Sequence, residues 1–324
     1  MNKLQIRTAL DQFFFAPVSG SILAFFRVAV ALFCMAKFLS FRGDILNMFG
    51  SYGFVRTEIT EILLSDFKPR LSWFTEIVSS VGMGEVAAIY TLYVLFLVVL
   101  VALGLGIQSR IMALLALFLH LMFFNSGRMF MYGVDYFTTS ALFYCALFPV
   151  GRYGTLRQIR KHGFETSTQM PIIYLRILQG HLCLVYFFGG VSKALGNHWW
   201  NGEAIWRAVS IPGFYQIDMS WLASVPWLSM VLGIGVLFLE CGYPLFINIR
   251  KTRPVFLVLI ITMHAGIGIV MGLWYFAVLM ILLNGVGYGY PWIIGWLTRF
   301  STRRESSLTV NTSLEPGKVA SSPH

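Results

Sequence analysis

An all-α bundle of membrane-spanning helices is the fold this sequence predicts, and three observations carry it. Apolar residues make up 57% of the chain and charged residues only 12%, where a soluble domain is about 25% charged. Mean hydropathy is +0.72. Apolar runs recur at lengths near the roughly 20 residues that a helix needs to cross a bilayer, and they do not alternate as barrel strands would. In hydrocarbon the backbone must satisfy its own hydrogen bonds, which makes helices the expected crossing form.

The elements follow in order. "FFFAPVSG" at 13–20 reads as an interfacial approach to a first span near 20–40. Further spans are expected near 86–107, 110–125, 134–150, 171–192, 227–249, 254–273 and 275–297, about eight in all. The third and fourth are short, and Gly-Tyr-Gly-Tyr-Pro at 287–291 interrupts the last. Residues 1–300 therefore form one membrane domain, while 301–324 are too polar to bury a core and are expected to be a disordered cytoplasmic tail. The opening residues do not show a cleavable secretory signal in the usual order. No internal repeat is evident, which counts against a transporter.

Charge sets the orientation. With eight spans and both termini on one side, that side carries 14 of the 24 Lys and Arg, and the opposite loops carry seven. Arg27, Lys37 and Arg176 fall inside spans. The positive-inside rule then places both termini in the cytoplasm. The net charge of +10 is explained by short basic loops beside helices, without nucleic acid. Membrane lipid, anionic lipid for "RQIRKH", is the expected partner. The 29 Phe, 14 Tyr and 9 Trp suit lipid contact and interfacial belts. The four cysteines lie in predicted spans with no C-x-x-C pair, and no metal is predicted.

Polar side chains inside spans are costly and mark candidate sites. Arg27, in "LAFFRVAVAL", is read either as a snorkelling or paired cation or as a clamp on an anion or carbonyl. Asp135 opens a helix and would cap it or bind a ligand. Glu240 lies mid-helix in "GVLFLECGYPLF", protonated or paired with Arg27 or Arg176. His264 sits at comparable depth on the next helix, so the two could form an acid–base couple. His120 and His181 are read as packing residues, and Gln179 and Asn125 add amides at similar levels. Lys193 ends a span beside Trp199 and Trp200, as an interfacial anchor would. It also lies on the charge-poor side, flanked by Gly189, Gly190 and Gly196, where a desolvated amine could serve as a base.

At these residues the chain resembles the horizontally transferred transmembrane (HTTM) domain family, which includes the membrane part of the vitamin K-dependent gamma-glutamyl carboxylase. The pattern is carried by Arg176, Gln179, Tyr186, Gly190, Val191, Lys193, Trp200 and Gly202, in "YLRILQGHLCLVYFFGGVSKALGNHWWNGEAIWRAV". "FAPVSGSILAFFRVAVAL", "NSGRMFMYGVDYF", "LECGYPLF" and "MHAGIGIVMGLWYF" resemble other family segments in order, covering about residues 12–297. The resemblance implies vitamin K hydroquinone or another quinone as cofactor, with Lys193 deprotonating the hydroquinone, whose oxygenation yields the base for glutamate carboxylation. Ser192 stands where animal enzymes have a second lysine, the step to Trp is one residue longer, and the family's long peptide-binding domain has no counterpart here.

Two readings stay open. In one, the chain is a membrane enzyme with Lys193 as base and His264, Glu240 and Asn125 lining the pocket, with Asp135, Gln179, Arg27 and Trp200 as further ligand contacts. In the other it is a non-enzymatic partner in maturation or export of a secreted peptide or protein. Both use an aromatic cavity on the non-cytoplasmic side, under loops 41–85 and 193–226. A bacterial inner membrane is the expected location.

Overall fold

A computed structural model describes residues 3–62, 64, 67–162, 168–214 and 216–299 of the chain; the predicted tail, 301–324, lies outside them. The architecture is an all-α polytopic bundle. An exposed helix α1 (Lys3–Phe15) leads into strand β1 (Pro17–Ser19) and α2 (Ser21–Ser40). Three short helices follow, α3 (Ile45–Phe49), α4 (Thr57–Ile62) and α5 (Leu71–Ser79), then α6 (Glu85–Leu105), α7 (Ser109–Ser126) and α8 (Gly133–Leu147). A basic helix α9 (Leu156–His162) connects to strand β2 (Gln169–Pro171) and α10 (Ile173–Ala194). The chain continues through α11 (Asn197–Trp200), α12 (Glu203–Ser210), α13 (Pro226–Phe246), α14 (Arg253–Met271) and α15 (Trp274–Tyr288), and ends in α16 (Tyr290–Arg299).

Six helices, α2, α6, α7, α10, α13 and α14, are long and apolar enough to cross a membrane. The other two expected spans are the short fourth and the interrupted eighth, as the sequence predicts. The fourth is α8, of 15 residues, which at 1.5 Å per residue reaches about 22 Å of a core about 30 Å thick. The eighth is broken: α15 and α16 meet at 88°. Gly289 stands at the break, and Pro291 lies in the first turn of α16, where its missing N–H costs nothing. Both short helices nevertheless run from one end of the bundle to the other. Contacts such as Tyr93 to the Phe38 carbonyl and Gly104 to Ala31 order α2 against α6. Ser109 meets Gly151, Lys37 meets Asp135, Gly190 meets Cys241 and Gln179 meets Gly287. These pairings make all eight helices alternate in direction, with β1 and β2 at one end (the strand end) and α3–α5 and α11–α12 at the other (the cap end).

The halves match element for element, contrary to the expectation of no repeat. Each has a strand, a long helix, short cap helices, and then three helices, of 21, 18 and 15 residues in one half and 21, 19 and 15 in the other. The strands pair antiparallel with Val18 opposite Met170. Arg27 and Gln179, each nine residues past that pair, both bond carbonyls at the far end of their own half's last helix. Buried positions repeat at the same spacing, as Leu23/Leu175, Phe26/Leu178, Val30/Leu182 and Cys34/Tyr186. Phe137 and Phe276, each following a Tyr at the start of the last helix, touch each other with ring centroids 6.0 Å apart. His120 and His264 stand at the same place in α7 and α14, eleven residues past the first. Even numbers of crossings in each half give a parallel repeat about an axis along the membrane normal. Only three of the twenty residues of α2 are identical at this spacing in α10, so the repeat lives in burial and contact.

Candidate functional site

Lys193 occupies the last turn of α10, and helical side chains lean toward the helix N-terminus. Its Nζ thus returns to the level of Gly189, where a Cβ would lie 3.8 Å from it and 3.6 Å from the Glu240 carboxylate. Lys193 Nζ donates to both Glu240 oxygens, at 2.7 and 2.5 Å, and lies 5.5 Å from the Trp199 ring centroid. The lysine side chain is 31% exposed and the glutamate 11%, so the pair reaches the protein surface (the mouth). The expected partners of Glu240, Arg27 and Arg176, are thereby replaced by Lys193.

Close helix approach makes this pairing. A Cβ on Gly190 would lie 2.7 Å from the Cys241 backbone nitrogen and 2.8 Å from the Glu240 Cβ. The matching position in the first half is Phe38, packed on Phe96 at 4.4 Å, so those helices stand farther apart. Gly190→Val is expected to wedge α10 from α13, separate Lys193 from Glu240, and cost about 1–3 kcal/mol by overpacking. Thermal unfolding in detergent, with a disulfide trap between α10 and α13, measures both effects.

Below the ion pair lies a buried polar network from four helices. Tyr186 (α10) and His264 Nε2 (α14) are 2.7 Å apart. Asn284 (α15) bonds the Tyr186 hydroxyl at 2.8 Å, the Met280 carbonyl at 2.8 Å and the Tyr243 hydroxyl (α13) at 2.7 Å. Tyr186 and Tyr243 stack at 4.1 Å. Among the described residues His264 Nδ1 has no hydrogen-bond partner. Near the strand end, Tyr288 contacts Cys183 Sγ and Asn248 at 3.2 and 3.3 Å.

The other predicted residues lie elsewhere. Arg27 donates to the Val150, Tyr153 and Gly154 carbonyls at 2.6, 2.9 and 2.7 Å, closing the turn after α8. Asp135 pairs with Lys37 and accepts the Tyr132 backbone N–H at 3.2 Å, while its carbonyl meets His120 Nε2 at 3.2 Å. Asn125 donates to the Pro69 carbonyl, tying the first cap to α7. Gln179 joins Arg176 to the Gly287 carbonyl. Trp200 is half exposed, with its indole N–H on the Ala194 carbonyl, a belt residue that also closes the end of α10.

The expected single chamber is therefore two separate centres, one in each half. Lys37, Asp135 and His120 form the closed one. Lys193 and Glu240, with His264 and Tyr186 beneath, form the open one. The cap 197–210 lies over the second half, whereas α3–α5 pack on α6 and α7. Beneath α3–α5 is a cavity of about 250 Å³, lined in part by Ser51, Glu58, Glu61, Glu76 and Glu85. Its exposed Glu58 is held below the usual carboxylate range by its own backbone N–H and by Arg56. Sequence reasoning placed Lys37 inside a span without making it a site residue, and passed over Tyr243 and Asn284; the amide in "MILLNGVGY" carried the signal, since it is as costly in an apolar run as any residue singled out.

No family model, curated protein or solved structure matches this chain.

Proposed function

We propose that this chain is an HTTM-type protein of a bacterial inner membrane, with both termini cytoplasmic, that takes a quinone-like, lipid-soluble ligand at Lys193 and Glu240. The observation that carries the reading is the part-exposed Lys193–Glu240 pair set against bare Gly189, above a layer of buried polar groups. Only 28% of the apolar window is buried in α13 and in α14, against 44% in α6 and α7, so the second half offers a route from lipid.

Lys193 works as a base only once it has lost its own proton. An apolar ligand covering the mouth strips water from the pair, and without water neither charge is well stabilised. The proton then passes from Nζ to the Glu240 carboxylate, and the neutral amine takes the hydroxyl proton of a hydroquinone. The ligand supplies the oxidisable ring; Glu240 holds the proton and Trp199 walls the mouth.

Lys193→Ala and Lys193→Arg test this. Wild type in nanodiscs with vitamin K hydroquinone and dissolved O2 as the oxidant is expected to form the epoxide, read by chromatography, and both variants are expected to lose about 10²-fold or more. Arginine fails with alanine because it does not give up its proton. Wild type that forms no epoxide would instead support the non-enzymatic partner of a secreted peptide.

A further inference from the structure

We infer that His264 is a built hydrogen-bond donor, through Nδ1–H, for an acceptor oxygen of a bound ligand, with its tautomer set by Tyr186, Asn284 and Tyr243. The inference rests on the reading above for the ligand's place, beside the Lys193–Glu240 mouth, and adds which atom holds it.

Asn284 Nδ2 lies 2.8 Å from the Met280 carbonyl, which only accepts, so the amide nitrogen faces that way. Its other N–H meets the Tyr186 oxygen, and its carbonyl accepts the Tyr243 proton. The Tyr186 proton then has one acceptor within reach, His264 Nε2 at 2.7 Å. A neutral imidazole that accepts it carries its own hydrogen on Nδ1. Tyr243, Tyr186, the amide and the imidazole bring five protons to four acceptors, so any neutral arrangement leaves one donor over. An imidazole nitrogen is a better acceptor than a phenol oxygen, which puts the surplus on His264 Nδ1. That atom is buried, on a residue 3% exposed, and has no partner among the described residues.

The first half supplies an internal control. His120, at the matching position, bonds the Asp135 carbonyl through Nε2, so Nε2 carries its hydrogen and Nδ1 is a bare lone pair. Its Nδ1 is also unpartnered, but an empty acceptor is more readily tolerated than a buried N–H. The matching positions of Tyr186 and Asn284 are Cys34 and Cys145, counted from the strand pair and from the Tyr-Phe steps. The repeat does not require the tyrosine–amide relay; the second half has acquired it. The ligand offers an oxygen that accepts at Nδ1: a quinone carbonyl fits, and an ammonium does not.

The test uses the full chain in nanodiscs with ¹⁵N-labelled histidine. At neutral pH the ¹⁵N spectrum is expected to show His264 as the Nδ1–H tautomer and His120 as the Nε2–H tautomer, assigned by loss of each signal on substitution. Menadione is expected to shift the His264 Nδ1–H resonance. His264→Asn places an amide nitrogen at the Nδ1 position and is expected to bind menadione within about threefold of wild type, while His264→Gln places it at Nε2 and loses about tenfold or more. A His264 found with hydrogen on Nε2, or equal menadione binding by both variants, would overturn the inference and leave the role of Lys193 standing. The expected tautomer with no menadione binding would mean that Nδ1–H serves only a lodged water, which overturns the donor role and the quinone reading together.

Discussion

Asp135→Leu is expected to destabilise the bundle by about 3–5 kcal/mol, because it strands the Lys37 ammonium among apolar groups. Lys37 and Asp135 are 2% and 1% exposed, and Asp135 also accepts the N–H of Tyr132 at the start of α8. Taking both charges away together removes the cause of the penalty. Lys37→Met with Asp135→Asn, which keeps an acceptor for that N–H, is expected to lie within about 1–2 kcal/mol of wild type, since buried pairs exchanged for apolar groups are often neutral. Steric-trap unfolding in bicelles measures both. Equal losses in the single and double variants would mean that the pair contributes attraction in its own right. The same comparison at Lys193 and Glu240 should give a smaller stability loss, since Lys193 is 31% exposed and reaches water.

This contrast between a closed and an open centre was not legible in the sequence, though its parts were. The apolar runs gave the helices, and the basic loops agree with the end at which β1 and β2 pair. Runs alone could not show that α8 stops at Leu147 or that the chain turns by 88° at Gly289. The repeat was hidden because a bilayer-facing helix needs apolar bulk at fixed positions and little identity: Phe26 and Leu178 do the same work. Pairing was hidden for a different reason. Lys37 and Asp135 are 98 residues apart, and Lys193 and Glu240 are 47 apart, with nothing local to link them. The glycines at 189 and 190 were the exception, since a close approach is the usual reason for two adjacent glycines late in a helix. Asn125 was chosen for its depth and Asp135 for its place at a helix start, and neither says which half of the bundle a residue faces.

Arg27→Met is expected to be the most damaging single change, with a loss of roughly 4–6 kcal/mol, from three charge-assisted hydrogen bonds of about 1.5–3 kcal/mol each that are not fully additive. Among the described residues the fully buried guanidinium meets no carboxylate, and its charge is held by the carbonyl dipoles of Val150, Tyr153 and Gly154, where the chain leaves α8. That is the negative end of the helix, where a cation is favoured. The turn is fixed tightly there: Gly154 sits at φ +54°, and a Cβ on it would lie 2.8 Å from the Ala24 Cβ. The second half solves the same problem with Gln179, which donates once, to the Gly287 carbonyl at 2.6 Å. Arg27→Gln should therefore recover about half of the loss, since one amide replaces one or two of the three bonds. This pair of variants also decides the alternative reading of Arg27 as a ligand clamp. A clamp would lose menadione binding in Arg27→Gln at unchanged fold; a structural closure would lose stability in proportion to bonds removed, while the Lys193 mouth, in the other half, keeps its affinity.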